Sequence, residues 1–205
     1  LIVGVAVVAI AGNVSHLYEN FGVGLRHAFF QVATIITTTG YATTDFNLWP
    51  EFSRGIMLCL MFIGACAGST GGGIKVSRIM IYLKQVTKEL MQQIHPRRVH
   101  VIKMEGKELP HSIAHSCNVL LMTYIIILFA SFLLISFDGF DTTTNFTAVV
   151  ATLNNIGPGL NMVGPTGNFS EFSDFSKYVL MFDMLAGRLE IFPMILLFHP
   201  ATWKK

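Results

Sequence analysis

The chain has 205 residues, of which 52% are hydrophobic and only 13% charged, against about 25% charged residues in ordinary soluble domains. So few charges cannot cover that much apolar surface in water, so an all-α integral membrane protein is expected; disordered, coiled-coil and collagen-like classes are excluded. A net charge of +2 is too small to argue for nucleic acid as a partner.

In chain order, Leu1–Ala11 is apolar with neither an initiator Met nor a basic stretch before it, and reads as the end of a spanning helix whose beginning lies outside this sequence. Leu25–Ile36 covers some 18 Å at about 1.5 Å per residue, enough to enter a hydrocarbon core of about 30 Å but not to cross it. Gly55–Leu83 has spanning length, yet Gly64, Gly68, Gly71, Gly72 and Gly73 interrupt it. Ser116–Phe137 carries no formal charge and is the clearest span. A second short stretch, Phe146–Leu153, is likewise followed at once by polar and glycine residues; both are candidates for re-entrant half-helices, with a soluble amphipathic helix as the alternative. Tyr178–Phe198 could span, but contains Asp183, Arg188 and Glu190.

Lys75, Arg78, Lys84, Lys88, Arg97, Arg98, Lys103 and Lys107 crowd one segment, whereas Asp138–Ser176 has no Lys or Arg. By the positive-inside rule the first is cytoplasmic and the second external, and Trp203-Lys204-Lys205 returns to the cytoplasm. Glu19, Asp45, Glu51, Asp138, Asp141, Glu171 and Asp174 make the external side acidic, which raises the local cation concentration. Cys59, Cys66 and Cys117 sit in or beside apolar stretches and read as buried hydrophobes. His111 and His115 are four apart without a third ligand nearby, so a helix start is expected rather than a metal site.

Laid over itself at an offset of 117, the chain brings Phe29, Val32 and Gly40 onto Phe146, Val149 and Gly157. The order spanning helix, half-helix, loop, spanning helix then occurs twice, over 1–83 and 112–205, joined by a basic cytoplasmic linker at 84–111. A loop at membrane depth is tolerated only where protein buries it or water fills a cavity beside it, so two such loops imply a cavity or a pore. A half-helix entering from outside points the negative end of its dipole at the membrane centre, which favours a cation there. The loops read Thr37-Thr38-Thr39-Gly40-Tyr41 and Asn154-Asn155-Ile156-Gly157-Pro158-Gly159. Glycine permits positive φ and threonine adds an uncharged oxygen, so Thr38, Thr39, Gly40 and Tyr41 with Asn155, Ile156, Gly157 and Pro158 are the candidate cation ligands.

Thr38-Thr39-Gly40-Tyr41 resembles the potassium-channel filter motif, with Ala42 in place of its second glycine. One pivotal glycine per repeat, the run from Ala67 to Val76, and Gly187-Arg188-Leu189-Glu190 are similar to the Trk/Ktr/HKT superfamily, most closely its bacterial Trk membrane subunit. The resemblance implies four pore repeats around one pseudo-fourfold pore, of which this sequence holds the third and fourth while the other two lie outside it. It also implies K⁺ as the transported ion, the bacterial inner membrane, a homodimer, and a cytoplasmic nucleotide-binding regulatory subunit of the TrkA type.

For the glycine run, a phosphate-loop reading fails on spacing, since Ile74 precedes Lys75 and Val76 stands where Ser or Thr is needed; no strand is expected before it either. Close helix packing through Gly64, Gly68 and Gly72 is one alternative. The other is an unwound intramembrane loop, with Ser69 and Thr70 bonding freed backbone groups. By resemblance, Gly68, Ser69, Thr70, Gly71, Gly72, Gly73 and Lys75 lie beneath the filter and gate it. Arg188, a charge inside a span, needs protein or water around it; the glycine loop's carbonyls, the pore axis and a salt bridge to another helix are the alternatives. Asp183 and Glu190, seven apart, share a helical face and brace neighbouring helices. The reading that results is a K⁺ uptake pore without covalent chemistry, hence no enzyme. Its rivals are a broken-helix secondary transporter and a non-transporting assembly subunit.

Overall fold

The computed structural model describes residues 2–64, 66, 68–69, 71–95, 101–104, 107–189, 191, 193–194, 196 and 200–203. It is mostly helical. α1 (Ile2–Val14), α2 (Phe21–Ile36) and α3 (Glu51–Phe62) touch one another. After α4 (Val76–Ile94), a second mutually touching trio follows: α5 (His111–Ile135), α6 (Thr142–Leu153) and α7 (Asp174–Arg188). Contacts between α3 and α6 join the trios, and a short turn, α8, covers Pro200–Trp203.

Local chemistry sets most of these ends. Pro50 and Pro110 precede α3 and α5, where a missing N–H costs nothing. The Asp141 carboxylate accepts from the Thr144 amide at 3.0 Å to start α6, and the Ser173 hydroxyl accepts from the Ser176 amide at 3.2 Å to start α7. α5 and the turn after it, Ser112–Asp138, form the single stretch among the described residues long and apolar enough to cross a membrane. Its exposed Met122, Ile126, Phe129 and Leu133 follow one another at helical spacing, an unpolar face of the kind lipid covers. α6, by contrast, is buried nearly all round, from Thr147 through Leu153.

The structure departs from the sequence reading in several places. The two half-helices begin four residues earlier than their apolar stretches, at Phe21 and Thr142: the Asn20 carbonyl accepts from the Val23 and Gly24 amides to start α2, and the polar turn Thr142–Asn145, capped by Asp141, extends α6. Residue 83 lies within α4, so helix continues into the expected linker, and a small antiparallel pair, Lys103–Met104 with Lys107–Glu108, follows it. Gly55–Leu83 is split: α3 stops at Phe62, and Ile63–Gly64 pairs in parallel with Ile74–Lys75, with the glycine run between them. That removes the helical stripe of Gly64, Gly68 and Gly72, and it puts a two-residue strand before the run where none was expected. Tyr178–Phe198 is no single helix either. α7 ends at Arg188, where the Ile191 amide, at φ +34, reaches back to the Ala186 carbonyl at 2.8 Å. Glu190 lies outside the described residues, as do Thr70, Arg97, Arg98 and Lys204-Lys205. Cys117 is buried as expected, but Cys59 and Cys66 are exposed, since α3 turns Cys59 away from its packed face of Ser53, Met57, Leu60 and Met61.

Candidate functional site

The loops after α2 and α6 are built alike, bond for bond. The amides of Thr37, Thr38 and Thr39 donate to the carbonyls of Ala33, Ile35 and Thr34 at 3.0, 3.0 and 2.9 Å. At the same offset of 117, those of Asn154, Asn155 and Ile156 donate to Val150, Thr152 and Ala151 at 3.1, 3.0 and 2.8 Å. Both ends are Schellman-type terminations, whose hallmark is a left-handed residue one past the cap. Thr38 and Asn155 hold that position, each at φ +54, and a glycine at positive φ follows two residues later: Gly40 at +81, Gly157 at +106. A β-branched residue in this region is strained by about 1–2 kcal/mol, strain of a kind that surrounding structure must hold in place.

The loops also meet. A Cβ placed on Gly40 would lie 2.1 Å from the Ile156 carbonyl oxygen and 3.4 Å from Cδ of Pro158, and one on Gly157 would be 4.0 Å from the Gly40 Cα. Tyr41, in contrast, is 73% exposed. Around the first loop, Gln31 Nε2 donates to the Thr44 carbonyl at 3.0 Å, and the Trp49 indole donates to the Tyr18 hydroxyl at 3.1 Å. The second loop is held from both sides: Asn155 Nδ2 donates to the Met184 carbonyl at 3.0 Å, and the buried Asn154 amide exchanges bonds with the Tyr124 hydroxyl at 2.9 and 3.1 Å. Tyr124→Phe removes the donor to the buried Asn154 Oδ1 while Nδ2 keeps its bond to the Val150 carbonyl, and the expected loss is about 1–3 kcal/mol, read as a lower melting temperature in detergent; an unchanged melt would show the bond to be idle.

Beneath the second loop lies the glycine run. Gly72 is buried, and a Cβ there would fall 2.1 Å from the Asn154 carbonyl oxygen. The Ser69 hydroxyl accepts from the Gly71 amide at 3.0 Å. Ser69, Gly71, Gly73, Lys75 and Arg188 line one cavity of about 290 Å³, together with Tyr124 and Arg78. The structure thus gathers the candidate gating residues, except Gly68, which is exposed, and Thr70, which is outside the described residues. Arg188 terminates α7 rather than sitting inside a span. Gly187 explains why the helix can come so close: a Cβ there would be 1.8 Å from the Leu153 carbonyl oxygen. Asp183 is fully buried and accepts from the Ser131 hydroxyl on α5 at 2.7 Å, which braces α7. No cluster of metal-ligating side chains occurs among the described residues.

At the outer end of α6, the Thr144 hydroxyl, with the Thr144 amide and the Asn161 side chain, holds the Asp141 carboxyl below the usual carboxylate range. A depressed value contributes stability above the unfolded pKa, and that contribution is lost as pH falls through the folded one. Asp141→Ala is therefore expected to cost about 1 kcal/mol at pH 7 and progressively less below about pH 4, as thermal melts across pH would read.

A family profile described as "Cation transport protein" (TrkH) matches residues 5–205. The chain belongs to the TrkH family. It is 40% identical over 190 residues to the Trk system potassium uptake protein TrkH of Salmonella typhimurium, covering 93% of this chain and 39% of that one. It is 33% identical over 178 residues to the Trk system potassium uptake protein TrkG of Escherichia coli K12, covering 87% and 36%. The crystal structure of the potassium transporter TrkH from Vibrio parahaemolyticus superposes with a TM-score of 0.90 at 38% identity, over 99% of this chain and 43% of that one. The chain thus spans about two fifths of the length of these relatives. Membership of this transporter family goes with an integral membrane protein and with no enzyme class.

Sequence reasoning gave no site role to four residues that border the loops and the cavity. Asn154 and Tyr124 tie the second loop to α5, Arg78 lines the cavity, and Gly187 admits α7. The Asn154-Asn155 pair directly behind an apolar half-helix was the available signal. Tyr124, inside an unbroken apolar run, gave none.

Proposed function

We propose that this chain forms two quadrants of a K⁺-selective uptake pore of the Trk type in a bacterial inner membrane. Thr38, Thr39, Gly40 and Tyr41 on one loop, and Asn155, Ile156, Gly157 and Pro158 on the other, belong to a filter whose backbone oxygens replace the water around K⁺. The observation that carries this reading is the pair of loops with the same hydrogen bonds and the same left-handed residues, in contact at Gly40, each at the electronegative end of a short helix. Repeats over 1–83 and 112–205 are its units, and two further repeats complete the ring.

In this reading the segment 68–73, with Lys75 and Arg188, is the gate. It is seated against Asn154 on the cytoplasmic side of the filter, where cations around one cavity impede K⁺ until they are displaced. The basic cytoplasmic face is the surface for a regulatory subunit of the TrkA type, and a second copy of the chain makes the homodimer. The same-direction repeat of the two trios favours this over a secondary transporter built on inverted halves.

The test is ⁸⁶Rb⁺ uptake into liposomes carrying the protein with its whole chain and its regulatory subunit. Uptake suppressed by K⁺ but not by Na⁺ is the expected result. Uptake that both ions suppress equally would overturn the filter assignment.

A further inference from the structure

The two loops continue into segments that sequence places 114 residues apart, and there the side chain of Asn47 and the backbone of Asn161 join them, beside a bond from the Thr166 hydroxyl to the Asp45 carboxylate at 3.2 Å. Asn47 Nδ2 donates to the Asn161 carbonyl at 3.1 Å, and the Asn161 amide donates to Asn47 Oδ1 at 2.9 Å. This reciprocal pair works as a backbone bridge does, but with a side chain on one side. Asn161 can offer all its groups because it sits at φ +56, a region asparagine enters more readily than most residues. Its side chain is engaged as well: Oδ1 accepts from Arg54 Nη2 at 2.8 Å, and Nδ2 donates to the N-cap carboxylate Asp141 at 3.0 Å. Arg54 is itself held by Glu51 at 2.6 Å, and Asn47 by the Asp45 carboxylate, which accepts from its amide at 2.9 Å. Gly164 leaves the room the bridge needs, since a Cβ there would lie 2.0 Å from Asn47 Nδ2.

One residue thus links the first loop, the helix returning from it, and the cap of the second half-helix. Asn47 lies seven residues beyond Gly40, and Asn161 four beyond Gly157. The contact at Gly40 fixes the loops where they touch, and this clamp fixes them a short way outward, so together they set both spacing and tilt. Discrimination between cations that differ by a few tenths of an ångström in radius depends on that kind of spacing. We propose that Asn161, with Asn47, is a positioning residue for selectivity: it holds the two loops in register, so that its loss relaxes the preference for K⁺ over Na⁺ without removing any ion ligand. The inference rests on the filter reading above.

The experiment compares wild type, Asn161→Gly, Asn47→Ala and Gly164→Ala, each with its whole chain in liposomes, by ⁸⁶Rb⁺ uptake under K⁺ and under Na⁺ competition. Asn161→Gly tests the side chain's share of the clamp, because glycine accepts φ +56 and keeps the backbone bridge to Asn47 while deleting the links to Arg54 and Asp141; the bridge itself is tested by the other two variants. Gly164→Ala displaces Asn47 while leaving every polar group in place, and so keeps the test informative if Asn47→Ala fails to accumulate. A drop of about threefold or more in K⁺-over-Na⁺ discrimination, with Rb⁺ uptake retained, is expected in Asn161→Gly and in Gly164→Ala. A merely structural role would lower protein yield or total uptake and leave the ratio alone; wild-type ratios in both variants would overturn the clamp. A wild type that does not discriminate would instead overturn the filter reading, and the clamp with it.

Discussion

Replacing Gly40 with serine is expected to reduce selective Rb⁺ uptake by about tenfold or more, or to leave an uptake that Na⁺ competes for as well as K⁺. Two independent obstacles add up at this position. A side chain at φ +81 is strained wherever it occurs. Its Cβ would also stand 2.1 Å from the Ile156 carbonyl oxygen, where a comfortable carbon–oxygen contact needs more than 3 Å. The obstructing atom belongs to backbone, so no side chain rotation can relieve it, and the neighbouring loop must move with the first. Uptake measured against K⁺ and Na⁺, on protein whose size-exclusion profile matches wild type, reads the effect. Wild-type uptake with wild-type competition would remove Gly40 from the filter.

Gly72→Ala is expected to act in the opposite direction, raising Rb⁺ uptake in protein reconstituted alone. The added methyl would meet the Asn154 carbonyl, oxygen at 2.1 Å and carbon at 2.6 Å. Asn154 is secured by Tyr124 on one side and by the Val150 carbonyl, which its side chain reaches at 2.8 Å, on the other. Among the described residues the glycine segment is held by the Ser69 contact with Gly71, the Ser69 amide on the Cys66 carbonyl at 2.9 Å, and two pairs of strand residues. The expected outcome is that this segment yields; overpacking of this kind costs about 1–3 kcal/mol, equivalent to about fivefold or more in the unseated population. Gly68→Ala supplies the control, because nothing lies within 4 Å of its Cβ. Equal uptake in the two variants would show that the seat against Asn154 does not restrain flow.

What the sequence revealed and what it hid follow from the range of the forces involved. The ends of the half-helices at Ile36 and Leu153 were legible, since an apolar run stopping at Thr-Thr-Thr-Gly or Asn-Asn-Ile-Gly is a local event, and the offset of 117 aligned them. Their starts were misjudged by four residues: hydropathy does not register the capped polar turn Thr142–Asn145, and the glycines Gly22 and Gly24 concealed the first turn of α2. The end of α7 at Arg188 was hidden: apart from Glu190 the residues beyond it stay apolar as far as Phe198, and the break goes with the close seat of Gly187 on Leu153. The clamp was out of reach for the same reason. Nothing in the neighbourhood of Asn47 names a partner 114 residues on.

The two loops share a backbone but not a composition, and that has a consequence for how such a pore can change. In a ring of identical subunits every substitution is copied around the axis, so a slightly misplaced oxygen is misplaced at every position at once. Here the left-handed position is Thr38 in one loop and Asn155 in the other, each fixed by bonds within its own helix end. In the pore proposed above, a mutation would alter a single wall of the passage while the others stay as templates, so variation would be sampled in small doses. Divergence between the copies is then tolerated wherever the helix end still closes in the same way, and a duplicated geometry outlasts the residues that first produced it.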